Sequence, residues 1–220
     1  MKVYDIVAEG IRLHKLAKSK SEEAEKVYQL LEDVGLHREY ANRYIHEFSG
    51  GQRQRIGIAR VLAVDPEVIF CDEPVSALDV SVQAQIMNLL NDLQKTRGLT
   101  LLFVAHDLAV VRHISNRIGV MYLGAMMELG TADQVIEQPV HPYTQALLSA
   151  VPSADPDEEA ERERILLKGD IPSPMHLEKG CRFCSRCPEA MDICHEQQPI
   201  WQEVKPGHYT ACHKCKERTK

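Results

Sequence analysis

The sequence predicts an α/β fold with parallel strands, on the basis of three observations. Two short, continuous apolar runs lie at residues 68–71 (VIFC) and 100–104 (TLLFV). A stretch of helical pattern at residues 81–95 separates them. Another helix is expected after residues 49–51 (SGG), where apolar residues recur at helical spacing. Apolar runs joined by a helix are typical of buried parallel strands with a crossover connection.

The flanking segments have patterns of their own. Residues 3–36 predict helices with polar faces, and Gly35 is placed to end the last of them. The composition changes after Gly130, where the α/β pattern stops. The other predicted elements are strands at 118–123 and 126–129, a helix around 143–148, a solvated charge run at 155–164 and a stiff turn at 171–174.

Composition narrows the class of protein. The 220 residues suffice for one sizeable domain with a small appendage. A net charge of −6 and a pI near 5.9 favour neither a nucleic-acid partner nor a polybasic membrane anchor. The sequence contains no apolar run long enough to span a membrane, and residues 1–5 do not open a signal peptide. We therefore expect a cytoplasmic protein that can dock on a membrane protein.

The first candidate for phosphate chemistry is the segment 49–53 (SGGQR) at the start of a predicted helix. Ser49 can cap that helix, and the two glycines let the backbone come close to a ligand. Free N–H groups at a helix N-terminus point towards an anion. The alternative is a glycine-containing turn before an ordinary helix.

Two further candidates follow the two predicted strands. Asp72 and Glu73 come directly after the apolar run 68–71, at the strand end where ligands gather in open α/β sheets. Asp72 could hold Mg²⁺, and Glu73 could polarise a water for attack on phosphorus. His106 follows the second strand and could touch a γ-phosphate, with Asp107 beside it as a helix cap. Taken singly, Asp72 and Glu73 also fit an ordinary acidic junction between a strand and a turn, and His106 also fits an ordinary loop residue.

Taken together and in this order, the motifs resemble those of ATP-binding-cassette (ABC) ATPases. Residues 46–55 (HEFSGGQRQR) resemble the ABC signature motif, and residues 71–79 (CDEPVSALD) resemble the Walker B motif running into the D-loop. His106 matches the switch histidine. The resemblance covers nearly the whole chain and implies part of a P-loop, RecA-like core with a helical subdomain. It divides the chain into a helical subdomain at 1–46, the C-terminal part of the core at 47–130 and a cysteine-rich C-terminal extension at 131–220.

The resemblance also implies roles for individual residues. In this family two cassettes face each other and sandwich two ATP molecules. Glu73 would be the general base, His106 would stabilise the transferring phosphate, and Asp72 would serve Mg²⁺. The residues implied to contact the nucleotide of the opposite cassette, or to communicate across the pair, are Ser49, Gly50, Gly51, Gln52 and Asp79.

Within the family, the chain resembles the ATP-binding subunits of oligopeptide and dipeptide importers. The residues that carry this resemblance are 75–81 (VSALDVS), 141–144 (HPYT) and the cysteine-rich tail, which begins at Gly180. It implies a second ATPase subunit, identical or paralogous, as a partner. It also implies permease subunits at the cytoplasmic face of the membrane and, indirectly, a solute-binding protein. The sequence does not identify the transported peptide.

The expected phosphate-binding loop is missing from these residues. No Walker A sequence of the type G-x-x-x-x-G-K-S/T occurs in the chain. We expect that loop, the adenine-stacking aromatic residue and the Q-loop to lie upstream of Met1. The chain alone is therefore expected to bind ATP poorly and to hydrolyse it negligibly. Strands from the absent region would leave apolar sheet surface uncovered, which predicts self-association.

Six of the seven cysteines lie in the tail, and Cys71 lies alone in an apolar run. The six are Cys181, Cys184, Cys187, Cys194, Cys212 and Cys215. Crowded thiolates repel one another unless a cation shares their charge, which favours metal ligation. Four thiolates suit a 4Fe–4S cluster. Four thiolates, or three with His195, His208 or His213, suit zinc. Free or disulfide-linked cysteines remain a third possibility.

The family resemblance favours the cluster, with ligands at Cys181, Cys187, Cys194 and Cys212. Cys184 and Cys215 are extra to the family pattern and serve as alternates. Two other functions remain as alternatives to the peptide importer. One is a soluble ABC protein acting on nucleic acid or ribosomes. The other is a metal-binding interaction module in which the ATPase remnant is inactive.

Overall fold

The computed structural model describes residues 1–152, 164–173 and 179–215. The chain separates into two compact units, Met1–His106 and Asp107–Lys220. Nearly all of the charge run predicted at 155–164 lies outside the described residues, as does the last residue of the turn predicted at 171–174. The domain limits at 46/47 and 130/131 stay predictions.

The first unit begins with a helical layer, as the sequence predicts. Its helices are α1 (Val3–Leu13), α2 (Lys20–Asp33) and α3 (Gly50–Leu62), with short 3₁₀ turns at Arg38–Asn42 and Ile45–Glu47. Helix α1 packs on both α2 and α3. Its apolar stripe is buried because residues 3, 7 and 11 share one face. Gly35 follows α2 with a φ of 73°, which confirms that it lies at the end of this helix.

A strand, helix and strand complete the first unit. Strand β1 (Val68–Asp72) pairs in parallel with β2 (Thr100–Val104), and α4 (Val80–Arg97) connects them. The register runs from Val68 opposite Thr100 to Asp72 opposite Val104. Gly98 ends α4 in the left-handed conformation, with a φ of 66°. The predicted parallel strands with a crossover helix are confirmed.

The expectation that both strands are buried is wrong for one face of the sheet. Ile69 and Cys71 of β1 are buried, but Phe70 between them is 75% exposed. Val68, Leu102 and Val104 are also exposed. Successive side chains of a strand point to opposite faces, so one face of this two-stranded sheet is covered and the other is open. Self-association through this face stays a prediction.

The second unit is built on an antiparallel sheet with strand order β3-β4-β6-β5. Its strands are β3 (Arg117–Tyr122), β4 (Ala125–Thr131), β5 (Gln202–Lys205) and β6 (His208–Thr210). Its helices are α5 (Leu108–Ile114), α6 (Ala132–Glu137), α7 (Pro142–Ser149) and α8 (Asp192–Glu196). Leu123 and Gly124 join β3 to β4 with φ angles of 46° and 74°. Two residues with positive φ match the strand twist of a tight hairpin. The predicted strand pair is confirmed.

The tail adds two strands that the sequence does not predict. Strand β6 pairs with β4, with Leu129 opposite Tyr209. The contact is reinforced by Glu128, which is fully buried and lies 2.7 Å from His208 Nε2 through its Oε1. The Glu128 carboxylate also accepts hydrogen bonds from the backbone N–H groups of Val140 and His141, each at 2.9 Å. These contacts satisfy a buried acidic group.

Phe183 is the centre of a buried aromatic cluster in the second unit. Its ring lies 5.3 Å from Tyr122, 5.1 Å from Tyr143 and 5.9 Å from His141. Burial lowers the pKa of His141 to about 4, so its ring is neutral at neutral pH. The neutral Nδ1 can then accept the hydrogen bond from the Tyr143 N–H at 3.0 Å. Residues 141–143 (HPY) therefore pack against Phe183, which lies between the first two cysteines of the tail.

Candidate functional site

The two acidic residues predicted for phosphate chemistry lie at the carboxyl end of β1. Asp72 is the last strand residue, and Glu73 follows it with a φ of 44°. The Glu73 N–H donates to the Val104 carbonyl at 2.9 Å, so the ends of the two parallel strands are fixed together. A positive φ at a non-glycine residue is uncommon, and such strain clusters at functional sites.

Glu73 and His106 come together at this edge of the sheet. Glu73 Oε1 lies 3.2 Å from His106 Nδ1. Both side chains are open to solvent, with 48% and 70% of their surface exposed. A carboxylate and an imidazole so placed can accept a proton from water and bind a negatively charged oxygen. The structure thus brings the two predicted catalytic residues into contact, while their roles stay predictions.

The turn after Glu73 leads directly into the cap of α4. Ser76 Oγ donates to the Glu73 carbonyl at 3.1 Å. Asp79 is the N-cap residue and accepts hydrogen bonds from Ser81 Oγ at 2.7 Å and the Val82 N–H at 3.0 Å. The Ser81 hydrogen bond and then the Val82 N–H lower the pKa of Asp79. The negative charge is favourable at this helix N-terminus.

The segment 49–53 opens α3 with a capping box. Gln52 N–H donates to Ser49 Oγ at 3.4 Å, and Ser49 N–H donates to Gln52 Oε1 at 3.1 Å. The predicted cap by Ser49 is confirmed. The sequence did not indicate a packing reason for the glycines. A methyl group at Gly51 would collide with Val82, and one at Gly50 would lie 3.3 Å from Leu78. The glycines therefore let α3 approach the start of α4, whether or not they also approach a ligand.

Replacing Gly51 with alanine is expected to destabilise the first unit by about 1–3 kcal/mol, because the buried methyl group overpacks against Val82. Thermal unfolding followed by circular dichroism measures this. Gly57→Ala is the matched control in the same helix, since nothing lies within 4 Å of a methyl group there. That control is expected to be neutral or stabilising by up to about 1 kcal/mol. Equal effects of the two substitutions would refute the packing role, and Val82→Ala should rescue Gly51→Ala.

The predicted phosphate-handling residues form two separate groups in the first unit. Glu73 and His106 lie at the strand ends, and Ser49 and Gln52 lie at the start of α3. Among the described residues, no hydrogen bond or ion pair joins one group to the other. The groups meet only indirectly, through the turn that contains Leu78. One chain therefore presents two half-sites and not one assembled pocket.

In the second unit, cysteine side chains surround a small cavity of about 20 Å³. Those that line it are Cys181, Cys184, Cys187, Cys194 and Cys212. Burial raises the pKa of Cys181, and it raises that of Cys187 to about 11. A hydrogen bond from Cys215 lowers the pKa of Cys212 to about 7. The cavity thus contains one thiol with a lowered pKa, that of Cys212, beside two with a raised pKa, those of Cys181 and Cys187.

The metal centre predicted from the cysteine spacing is not confirmed. Within residues 1–152, 164–173 and 179–215, no three His, Cys, Asp or Glu side chains are grouped so that they could hold a metal ion. Two of the histidines considered for zinc have other partners. His208 contacts Glu128, and His213 Nε2 lies 3.0 Å from the Gln197 carbonyl. All seven cysteines are free of disulfide bonds.

None of the described helices is both long and apolar enough to cross a lipid bilayer.

Comparison with solved structures defines the class of protein. An ABC transporter of a metal-chelate type, solved in an inward-facing conformation, is similar with a TM-score of 0.59 and 31% identity. The match covers 69% of this chain and 60% of that one. The structure of cbiO1 from Clostridium perfringens, part of the ABC transporter complex cbiONQ, gives a TM-score of 0.56 and 29% identity over 62% of this chain and 53% of its own. The family model of the ABC transporter matches residues 3–76. The fold is that of an ABC ATPase cassette, as predicted.

Comparison with curated proteins narrows the family. The oligopeptide transport ATP-binding protein OppF of Bacillus subtilis (strain 168) is 57% identical over 212 residues, covering 96% of this chain and 63% of OppF. AppF of the same organism, also an oligopeptide transport ATP-binding protein, is 56% identical over 208 residues, covering 94% of this chain and 63% of AppF. The family model for the C-terminal region of oligopeptide/dipeptide transporters matches residues 127–194. The chain is thus similar to oligopeptide transport ATP-binding proteins over nearly all of its own length. It spans a little under two thirds of the length of these relatives.

Proposed function

We propose that this chain supplies the general base and the signature motif of an ATPase that powers peptide import. The observation that carries the proposal is the Glu73–His106 contact at the ends of two parallel strands. Ligands gather at this edge of open α/β sheets. The kinship with OppF and AppF supports the substrate class, since both are named as oligopeptide transport ATP-binding proteins. These names favour import over a soluble ABC protein acting on nucleic acid.

In the proposed reaction, Glu73 accepts a proton from the attacking water. The open carboxylate can receive that water, and the hydrogen bond from the Glu73 N–H to the Val104 carbonyl fixes the residue at the strand end. His106 stabilises the oxygen that becomes more negative during phosphoryl transfer. Asp72 offers carboxylate oxygens at the same edge, which suit Mg²⁺. ATP would supply the phosphoryl group, and Mg²⁺ would neutralise part of the negative charge on the phosphates.

The second half-site serves a facing cassette. Ser49, Gly50, Gly51 and Gln52 form the first turn of α3, where backbone N–H groups are available to an anion. The separation of this group from Glu73 and His106 fits a site shared between two subunits. Asp79, the N-cap residue of α4, would communicate across the pair. The partner cassette is an identical or paralogous chain.

The proposed location follows from the same function. The ATPase acts at the cytoplasmic face of the membrane, bound to permease subunits that receive peptide from a solute-binding protein. The helical layer of α1, α2 and α3 would meet the permease. No nucleic-acid partner is proposed, in keeping with the net charge of −6.

Hydrolysis is expected only when the cassette is complete. The 220-residue chain contains no Walker A sequence, so we expect ATP turnover by the chain alone to be indistinguishable from background. A chimera with the part of OppF that this chain does not cover is expected to hydrolyse ATP. A phosphate-release assay on both proteins tests this. Robust turnover by the chain alone, or none by a folded chimera that dimerises, would refute the proposal.

We further propose a 4Fe–4S cluster in the cysteine tail. The four thiols that the family resemblance implies as ligands are those of Cys181, Cys187, Cys194 and Cys212. All four line the same small cavity. One zinc ion would need its thiolates about 3.8 Å apart, given Zn–S bonds of about 2.3 Å. Among the described residues, no group of side chains is arranged to hold a single metal ion. A 4Fe–4S cluster holds its four ligand sulfurs farther apart than one zinc ion does. It would neutralise thiolates whose burial otherwise opposes ionisation.

Metal analysis of the chain after anaerobic purification tests the cluster. We expect about four iron and four sulfide per chain and little zinc. Cys194→Ser should remove the iron, whereas the extra Cys184→Ser should retain most of it. Zinc near one per chain without sulfide would replace the cluster by a structural zinc site. The absence of both metals would leave the tail as a metal-free fold and overturn this part of the proposal.

A further inference from the structure

An open pocket of about 410 Å³ lies in the second unit, and Cys181 lines both this pocket and the small cysteine cavity. Its volume is in the range of small-molecule sites, about 300–1,000 Å³. Four segments line it: the start of β4, the loop around residues 180–182, the loop at 198–201 and Ala211 after β6. The side chains relevant to recognition are Met126, Met127, Arg182, Gln198, Pro199 and Trp201.

The walls of this pocket are held in place by hydrogen bonds within the unit. The Cys181 N–H donates to the Cys194 carbonyl at 2.7 Å, and the Ala211 N–H donates to the Met127 carbonyl at 2.9 Å. The Arg182 guanidinium donates to the Leu123 carbonyl at the β3–β4 turn. The pocket is therefore largely formed before a ligand enters, which reduces the ordering that binding would require.

The lining combines exposed apolar surface with one positive charge. Met126 and Trp201 remain 37% and 40% exposed, and the Trp201 ring stacks on Tyr209 at 6.1 Å with 8° between the planes. Arg182 is the one charged residue among the described residues that line the pocket. In a chain with a net charge of −6, a pocket without carboxylates and with a guanidinium is distinctive.

We propose that this pocket binds a small carboxylate with an apolar body. The apolar body lies against Trp201, Met126 and Pro199, where it removes exposed apolar surface from water. The planar guanidinium of Arg182 matches a carboxylate in shape and charge. The Gln198 amide adds a hydrogen-bond donor. A free organic acid and the C-terminus of a short apolar peptide both have this chemistry. The proposal does not depend on the proposed ATPase function.

The sole tryptophan of the chain gives a direct readout, because it is Trp201. Phenylbutyrate titrated into the 220-residue chain is expected to shift the tryptophan emission to shorter wavelength in a saturable way. Arg182→Gln should raise the apparent Kd about tenfold, the loss of one charge-assisted hydrogen bond. Arg112→Gln is the matched control, since Arg112 is an exposed residue of α5 that pairs with Glu137. It should bind like the unmodified chain.

Changing the ligand tests the same claim without changing the protein. Phenylbutanamide lacks the charge and should bind the unmodified chain about tenfold more weakly than phenylbutyrate does. It should bind the Arg182→Gln variant as tightly as it binds the unmodified chain. The apolar tripeptide Ala-Ala-Phe and its C-terminal amide distinguish a peptide ligand from a free acid. The proposal is overturned if neither carboxylate shifts the emission saturably. Equal affinity for acid and amide would overturn it too, as would equal effects of the two arginine substitutions.

Discussion

Glu73→Gln in a completed cassette is expected to lower ATP hydrolysis by about 10²–10⁴-fold while ATP binding persists. Glutamine keeps the size of the side chain and its contact with His106, but it cannot accept a proton from water. The positive φ of Glu73 does not discriminate between the two side chains, so the strand end should keep its geometry. The chimera with the uncovered part of OppF is the protein to use, with phosphate release and equilibrium nucleotide binding as the measurements.

Glu67→Gln provides the matched control for this substitution. Glu67 is exposed and precedes β1, and its backbone carbonyl accepts the Thr100 N–H, which the substitution leaves intact. Hydrolysis by this variant should equal that of the unmodified chimera. If Glu73→Gln retained most of the activity, another group would have to be the base. If Glu73→Gln lost nucleotide binding as well, the residue would be needed for the site's structure.

Phe183→Ala is expected to destabilise the second unit by about 3–5 kcal/mol. Phe183 is fully buried and contacts three rings, so its removal leaves a large cavity beneath the cysteine segment. Urea unfolding followed by Trp201 fluorescence reports on this unit, because Trp201 stacks on Tyr209 there. The midpoint of that transition should fall sharply.

The same substitution at Phe70 is the control for Phe183→Ala. Phe70 is 75% exposed on the open face of the β1–β2 sheet, and its replacement should change the free energy of unfolding by about 0.5 kcal/mol or less. Circular dichroism measures the free energy of unfolding of both variants by the same signal. A cost at Phe183 no greater than at Phe70 would mean that the aromatic cluster does not hold the tail to the sheet.

Most of the fold could be predicted from local sequence signals. The helices of the first unit follow from apolar residues at helical spacing, and the hairpin at Leu123 and Gly124 follows from a glycine between two apolar runs. The apolar runs at β1 and β2 predicted parallel strands correctly. They could not predict that Phe70 is exposed, because burial depends on what covers each face and not on the strand's own composition.

The addition of β5 and β6 to the sheet of the second unit could not be predicted, because the pairing of β6 with β4 is long-range. Glu128 and His208 are far apart in the sequence, and neither residue type by itself indicates a buried pair. An acidic residue within the apolar stretch of β4 is the one signal that could have suggested a buried polar partner. The packing of His141 and Tyr143 against Phe183 could not be predicted either, because it joins residues that are far apart in the sequence.

The candidate site was predicted in its residues but not in its arrangement. The sequence places Glu73 and His106 after two different strands, but it does not indicate the 3.2 Å contact between them. The packing of Gly51 on Val82 could not be predicted, because a glycine before a helix indicates a close approach of the backbone but not which group approaches it. The short distance between Gly51 and α4 is a tertiary feature, and no spacing rule within the segment 49–53 encodes it.

The most direct measurement is ATP-dependent uptake of a labelled oligopeptide by Bacillus subtilis cells in which this chain replaces the matching part of OppF. Uptake should be restored by the chimera and abolished by its Glu73→Gln variant at equal protein levels, with Glu67→Gln behaving like the unmodified chimera. A folded chimera that assembles with the permease, hydrolyses ATP and yet restores no uptake would contradict the assignment to peptide import.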